Sequence, residues 1–547
     1  MESITIALVL LLAVVVSGTL TRLSPIAIPV PLVQIVLGAA IAGITGSGVE
    51  LDPDIFFLLF LPPLLFLDGW RIPKEGLFRD KATILELSLG LVVFTVIGMG
   101  FFINWMIPAM PLTVAFALAA IISPTDPIAV SAIAARVPIP RRLMHILEGE
   151  SLLNDASGLV CMRFAVAAAL TGSFSLTSAL GTFLWVAFGG IAIGAGVTWC
   201  TVIAKEYVSR KLGEETGSQI LISLLIPFGA YLVAEHLDCS GILAAVAAGI
   251  TMSYAEQRGH ALGATRVRRS AVWDTLQFAL NGIIFVLLGE QLPRIITGAA
   301  RVVQETGHHQ PIWLIVYIVA ITVALGVLRS IWVWVSLRFT LLRAVWRGTP
   351  RTRPHWRLIA ATSAAGVRGA ITLAGVLTLP LLLDDGSPFP ARDLAILLAA
   401  GVIVLSLIAA SLALPPLLKD LELPAEPHHE REEDNARIAA AQAAIQAIEK
   451  LQHELGEGRS DVDIYADAAA RLMELYRRRI EGRSGSTENA EQVRAVEAVE
   501  RRMRLAAVKA ERDTVFALGR ARRISDEVSR KLVREVDLAE ARLNALP

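Results

Sequence analysis

The sequence predicts an all-α polytopic membrane protein with about thirteen transmembrane helices and a cytosolic α-helical C-terminal domain. Three observations predict it. Of 547 residues, 54% are hydrophobic and only 18% charged, with a mean hydropathy of +0.59; soluble chains carry about 25% charged residues. The charges are also unevenly spread. Residues 420–547 hold 22 Lys/Arg and 26 Asp/Glu, whereas the preceding 419 residues hold only 28 and 24. Finally, stretches long enough to cross a bilayer, roughly 17–25 mostly apolar residues, recur throughout the first part. These observations divide the chain into a transmembrane domain, 1–420, and a charged helical tail, 421–547.

In chain order the spans are placed at 4–21, 25–45, 54–70, 82–106, 112–135, 143–171, 178–204, 217–236, 240–255, 271–292, 312–337, 357–383 and 393–418. The chain begins Met-Glu-Ser-Ile. Without a basic region ahead of it, the first stretch reads as a retained helix and not a cleaved signal. Basic residues test the count, because they gather in cytoplasmic loops. Alternate loops hold 21 Lys/Arg, from Arg22 through Arg71, Arg141, Lys205 and Arg268 to Arg357, and the opposite loops hold only Arg294, Arg301 and Arg392. The N-terminus is therefore expected outside and the tail in the cytoplasm, with the chain in the cell's inner membrane.

Thirteen spans can be written as six, one linker and six, the pattern of an inverted-topology repeat. Substrates of such proteins bind near the midplane, at helices interrupted by Gly, Pro and polar residues. The fifth span contains Ser123-Pro124-Thr125-Asp126-Pro127, where each proline removes a backbone donor and disfavours helix at the residue before it. The twelfth contains Gly366-Val367-Arg368-Gly369. Each interruption is fifth in its repeat.

Ionisable side chains inside a bilayer are costly unless paired or hydrated, so each is a functional candidate. The sixth span opens Glu148-Gly149-Glu150-Ser151-Leu152-Leu153-Asn154-Asp155-Ala156-Ser157-Gly158. On a helix Glu148, Ser151, Asp155 and Gly158 share a face, with Asn154 alongside. Such hard oxygen groups suit a small, hard cation such as Na+. Taken singly, Ser151 or Asn154 is as readily explained by hydrogen bonding between helices. Asp155 beside Asn154, with Asp126 and Arg368 in interrupted helices, is not. Arg368 stays charged and must sit near carboxylates or broken helix ends; Glu150 is its expected partner, leaving Asp155 as the titrating group. Arg163 and Arg329 are expected in a further ion pair or lining a cavity, and Glu86, Glu235 and Glu290 at solvated or interfacial helix ends.

Other classes find little support. Cys161, Cys200 and Cys239 have no CxxC spacing and read as packing residues. The nine histidines show no metal-ligand spacing within a span. No P-loop, GxSxG or TVGYG pattern occurs, so neither ATP, hydrolytic chemistry nor a potassium-channel filter is indicated.

The stretches FALAAIISPTDPIAV (116–130), EGESLLNDASGLV (148–160) and GVRGAITLA (366–374) resemble the sodium/proton antiporters of the cation/proton antiporter family that includes bacterial inner-membrane members and the animal exchangers. LPPLLFLDGWRIP (61–73) resembles the family's third helix, although Asp68 stands one residue from where some members place an acidic group. The resemblance covers most of residues 1–420. It implies thirteen helices in two inverted repeats, crossed broken helices, a homodimer and an elevator-like movement of the ion-binding bundle. It further implies cation ligands at Asp155, Ser151, Asn154, Asp126 and Thr125, with Na+ held chiefly by Asp155, Asp126 and Ser151, and a structural Glu150–Arg368 ion pair. Electrogenic relatives carry a second aspartate where Asn154 stands, so the resemblance implies one-for-one exchange. Competition of H+ and Na+ for one carboxylate suffices for antiport, because only a neutralised site crosses a dry barrier cheaply. The expected partners are monovalent cations, protons, the lipid bilayer and a second copy of the chain; no cofactor and no nucleic acid are expected. K+/H+ exchange is the alternative reading.

After Pro424 the chain turns hydrophilic, with helical stretches at 431–455, 460–482 and 487–545. Ile464, Ala468, Leu472 and Leu475 recur at helical spacing and predict a packed bundle or coiled coil. Its role is expected to be regulatory or dimer-stabilising.

Overall fold

The computed structural model describes residues 2–24, 28–45, 53–72, 74, 80–127, 130, 141–171, 176–257, 262–305, 312–346, 356–383, 386–419, 427–456, 462–484 and 487–544. Residues 128–129 and 131–135 of the expected fifth span lie outside them. The described residues are helical, without a named strand; one isolated bridge joins Leu382 to Pro388. The chain forms two compact units, Met1–Glu422 and Leu423–Pro547.

The first unit contains α1 (Glu2–Leu23), α2 (Val30–Thr45), α3 (Pro53–Arg71), α4 (Lys81–Met106), α5 (Leu112–Ile122), α6 (Arg141–Thr171), α7 (Leu176–Leu212), α8 (Thr216–His236), α9 (Gly241–Glu256), α10 (Gly263–Glu305), α11 (Ile312–Trp346), α12 (Trp356–Ala364), α13 (Ala370–Leu377) and α14 (Arg392–Leu418). Eight of these helices contain stretches long and apolar enough to cross a membrane, and α2, α5 and α9 are shorter and apolar. Their leucines, valines and tryptophans point outward in number, among them Leu12, Trp105, Trp185, Leu225 and Val323. That outward apolar surface is what a helix facing lipid requires.

Two sets of helices pack closely within themselves and are joined where α10 also lies against α14. In one, α10 lies along α2, while α9 lies against α3, α7 and α8. In the other, α5 packs on α4 and α6, and α14 packs on α11, α12 and α13. Lipid tails offer no hydrophobic drive for association, so close approach of small residues does the work. A side chain on Gly38 would meet the backbone of Val286 and Glu290, and one on Gly289 the backbone of Ile35. Those contacts fix α2 against α10.

Two interruptions organise the second group. α5 stops at Ile122, one residue before Ser123-Pro124, where proline sterics disfavour helix. The other separates α12 from α13 at Ala365–Gly369. α13 ends at Leu377 and not at 383 as the apolar run suggested; Pro380 cannot donate and the chain turns back through the Leu382–Pro388 bridge. A third irregularity is a π-helical stretch, Glu86–Gly90, inside α4. The Trp332 indole of α11 donates to the Glu86 carbonyl at 3.0 Å, and Ser336 donates to its carboxylate at 2.8 Å.

The second unit holds α15 (Pro427–Gly456), α16 (Val462–Ser484), α17 (Thr487–Arg520) and α18 (Asp526–Asn544). α15 packs on α16 and α17 on α18. Leu472 and Leu475, expected in a core, are 51% and 49% exposed, while Ala441 and Ala469 are buried. The small alanines let the helix backbones approach closely, and the leucines are left on the outer side.

Candidate functional site

The two interruptions meet. The backbone N–H of Asp126 donates to the Val367 carbonyl at 2.7 Å, so the broken part of the fifth span hydrogen-bonds directly to the gap between α12 and α13. A side chain at Gly369 would collide with the Asp126 carboxylate. Glycine is what allows that carboxylate to lie beside the start of α13, where helix polarity favours an anion.

Arg368 occupies the same crossing, buried at 5% exposure. Its Nε donates to the Ile122 carbonyl at 2.9 Å and its Nη1 to the Gly366 carbonyl, while its backbone N–H donates to Ser406 Oγ at 3.2 Å. The last carbonyls of a helix lack intrahelical donors and carry the negative end of its dipole. A buried guanidinium at the end of α5 satisfies both needs. Arg368 is therefore bound to backbone carbonyls and not, as the sequence suggested, to Glu150.

Glu150 is claimed by Arg329 of α11. Nη1 and Nη2 donate to Oε1 and Oε2 at 2.5 and 2.9 Å, with both side chains almost fully buried. Two parallel bonds make this the stronger geometry for a buried pair. Arg329 Nε also donates to the Thr362 carbonyl at 3.1 Å, tying α12 to α6. From Glu150 the network continues: Thr125 Oγ1 donates to Oε1 at 3.1 Å, and Asn154 Nδ2 donates to Thr125 Oγ1 at 3.0 Å. Asn154, Thr125, Glu150 and Arg329 thus form one buried polar chain linking α6, the interruption after α5, and α11.

Asp155 lies one residue beyond Asn154, buried at 6% exposure. Among the described residues no hydrogen bond or ion pair reaches its carboxylate, while Asp126 and Asp68 are near enough to repel it. Asn154 Oδ1 and Ser123 Oγ are buried and have no hydrogen-bond partner among the described residues. Ser151 and Thr125 are buried beside them in sequence, and Asp126 is half-buried. Gly158 brings the helices together, since a side chain there would overlap the Pro124 ring. Asp68, at the end of α3, is exposed yet within electrostatic range of Asp126, Asp155 and Glu148. The structure therefore gathers Thr125, Asp126, Glu150, Ser151, Asn154, Asp155 and Arg368 at one crossing, with Asp68 at electrostatic range.

Arg329 is the residue whose role the sequence left open, and Ser123 the polar group it passed over. An arginine inside the apolar α11 was the available signal for the first; the partnerless hydroxyl of the second is visible only in three dimensions. Arg163 pairs with Glu235, Nη2 to Oε1 at 3.3 Å, and Glu235 also accepts from the Gly241 N–H at 3.1 Å. Glu290, expected at an interface, is 3% exposed, because α2 covers α10 there.

Residues 7–420 match the family described as "Sodium/hydrogen exchanger, transmembrane". The chain is 42% identical over 551 residues to an Escherichia coli protein named "Uncharacterized Na(+)/H(+) exchanger YjcE", covering 99% of each. It is 44% identical over 423 residues to the "Sodium, potassium, lithium and rubidium/H(+) antiporter" of Bacillus pumilus, covering 76% of this chain and 61% of that one. Among solved structures, the sodium proton antiporter MjNhaP1 from Methanocaldococcus jannaschii aligns with a TM-score of 0.58 at 19% identity, over 77% of this chain and 99% of that one. At that identity the likeness speaks to the fold.

Proposed function

The chain belongs to the sodium/hydrogen exchanger family, and from that premise we propose that it exchanges Na+ for H+ one for one across the cytoplasmic membrane, with both ions competing for Asp155. The observation that carries this reading is a buried Asp155 carboxylate that no basic side chain or hydrogen-bond donor reaches among the described residues. A bare charge there is costly, so the site holds either a proton or Na+. Ser151, Thr125, Asp126 and the free Asn154 Oδ1 supply oxygens for the cation. Glu150 is occupied by Arg329, Asn154 carries no charge, and Asp126 serves as a ligand whose charge stays the same through the cycle, so Asp155 is the one exchanging carboxylate. No cofactor is required.

The same reading takes the membrane unit as thirteen spans in two inverted repeats, with α7 as linker. The N-terminus lies outside, the tail lies in the cytoplasm, and two copies form a dimer. The helices around α4, α5, α6 and α11–α14 move as the ion-carrying bundle against those around α1–α3 and α7–α10. A broader selectivity that includes K+ and Li+ is the second reading, favoured by the cations in the name of the Bacillus pumilus relative.

The test is proton movement in everted membrane vesicles. Asp155→Asn should abolish Na+-, Li+- and K+-driven proton exchange while the purified variant still folds and melts cooperatively. Exchange retained at the wild-type rate in that variant would remove Asp155 from the role.

A further inference from the structure

A third buried cation lies outside the network of the exchange site. Arg269, in the first turns of α10, is 1% exposed. It forms an ion pair through Nη2 with Glu256 at the end of α9 and lies 5.5 Å from the Trp70 ring, yet its Nε and Nη1 have no hydrogen-bond acceptor among the described residues. Burying guanidinium donors without acceptors is expensive. Arg269 lines a cavity of about 180 Å³ enclosed by the end of α7, the starts of α8 and α10, and the end of α9. Lys205 and Arg210 of α7 line it too, and neither forms a hydrogen bond or ion pair with any described residue. Across it Lys205 is repelled by Arg269 and attracted by Glu214 and Glu206.

Three carboxylates also line the cavity, Glu206, Glu214 and Glu256, but they are committed. Glu256 accepts the Trp70 indole N–H at 2.7 Å as well as pairing with Arg269. Glu214 accepts the Leu262 N–H at 3.1 Å. Glu206 has a partner of its own. Glu214 also attracts Lys205 and Arg269, yet Arg269 Nε and Nη1 remain buried donors without an acceptor among the described residues.

We propose that this cavity binds a phosphate-type anion, with Arg269 as its buried anchor and Lys205 and Arg210 closing on it. Phosphate has the acceptor number and the planar-fork complementarity that a guanidinium recognises. Basic side chains in a pocket between membrane helices at a helix-end level are also what holds an anionic lipid headgroup. Both sources present the same chemistry. In the proposed orientation the cavity faces the cytoplasm, but binding does not depend on that orientation or on the exchange reaction.

The test is thermal unfolding of the full-length protein in neutral phosphatidylcholine nanodiscs. One arm replaces part of the lipid with phosphatidylglycerol, and the other adds inorganic phosphate against sodium chloride of equal ionic strength. A ligand that binds only the folded state raises the melting temperature, and a rise of at least about 2 °C is expected in one arm or both. A rise with the lipid alone assigns a headgroup, and one with inorganic phosphate assigns a soluble anion. The double variant Lys205→Gln/Arg210→Gln removes no existing bond, so it should melt like wild type without ligand and lose the rise. No rise in either arm, or an equal rise in the double variant, would overturn the proposal.

Discussion

At the site's centre, one carboxylate has two arginines to choose from. Glu150 is bonded at both oxygens by Arg329, and Arg368 is bonded to the carbonyls of Ile122 and Gly366. Both arginines were visible in the sequence as charges inside apolar spans, and both needed counter-groups. Spacing could not decide between them, because helix-end carbonyls become acceptors only once the helices break and cross. Removing one partner of a buried pair strands the other's charge and typically costs about 3–5 kcal/mol. Arg329→Met should therefore lower the melting temperature sharply and reduce the yield of folded protein. Glu150→Gln added to Arg329→Met should recover much of that loss, since no unpaired charge remains. A single variant as stable as wild type would show that the pair does not hold α6 to α11.

At the level of elements, the interruptions were legible because proline and glycine act locally. Ser123-Pro124 ends α5 and Gly366–Gly369 separates α12 from α13, as their backbone chemistry predicts. The π-helical stretch at Glu86–Gly90 has a glycine but no proline; it answers to Trp332 and Ser336, some 250 positions away, and a side chain on Gly90 would collide with the Trp332 ring. The leucines of α16 misled for a related reason: helical spacing identifies a stripe but not which neighbour will cover it. Close approach makes a sharper test of the crossing. A Cβ on Gly158 would lie 2.9 Å from the Ala120 carbonyl oxygen and against the Pro124 ring, with backbone and a proline unable to yield. Gly158→Ala should destabilise by about 1–3 kcal/mol and depress exchange by displacing Asp155. Gly196→Ala, on α7 with nothing within 4 Å, should stabilise by about 0.5–1 kcal/mol from helix propensity. Equal effects of the two substitutions on melting temperature and exchange would argue against a tight α5–α6 contact.

For the whole molecule, zero formal net charge conceals an apolar body in which only a few charges are buried, and four of them, Glu150, Asp155, Arg329 and Arg368, meet at one crossing. With Glu150 neutralised by Arg329 and Asn154 uncharged, the proposed cycle moves one positive charge in each direction. Two consequences follow from a single shared carboxylate. Protons compete with Na+, so as pH falls below the site's own titration point the apparent KM for Na+ should rise by up to about tenfold per pH unit, with the maximal rate unchanged at saturating Na+. The turnover should also move no net charge and respond little to voltage, because each half-cycle carries a site of the same net charge. Proteoliposomes loaded with a pH-sensitive dye, assayed from pH 6 to 9 with and without a potassium diffusion potential, measure both. A KM flat across that range would separate the proton site from the cation site. A rate that changes severalfold with the imposed potential would instead require a second exchanging charge, for which the half-buried Asp126 and the exposed Asp68 are the carboxylates within electrostatic range of Asp155.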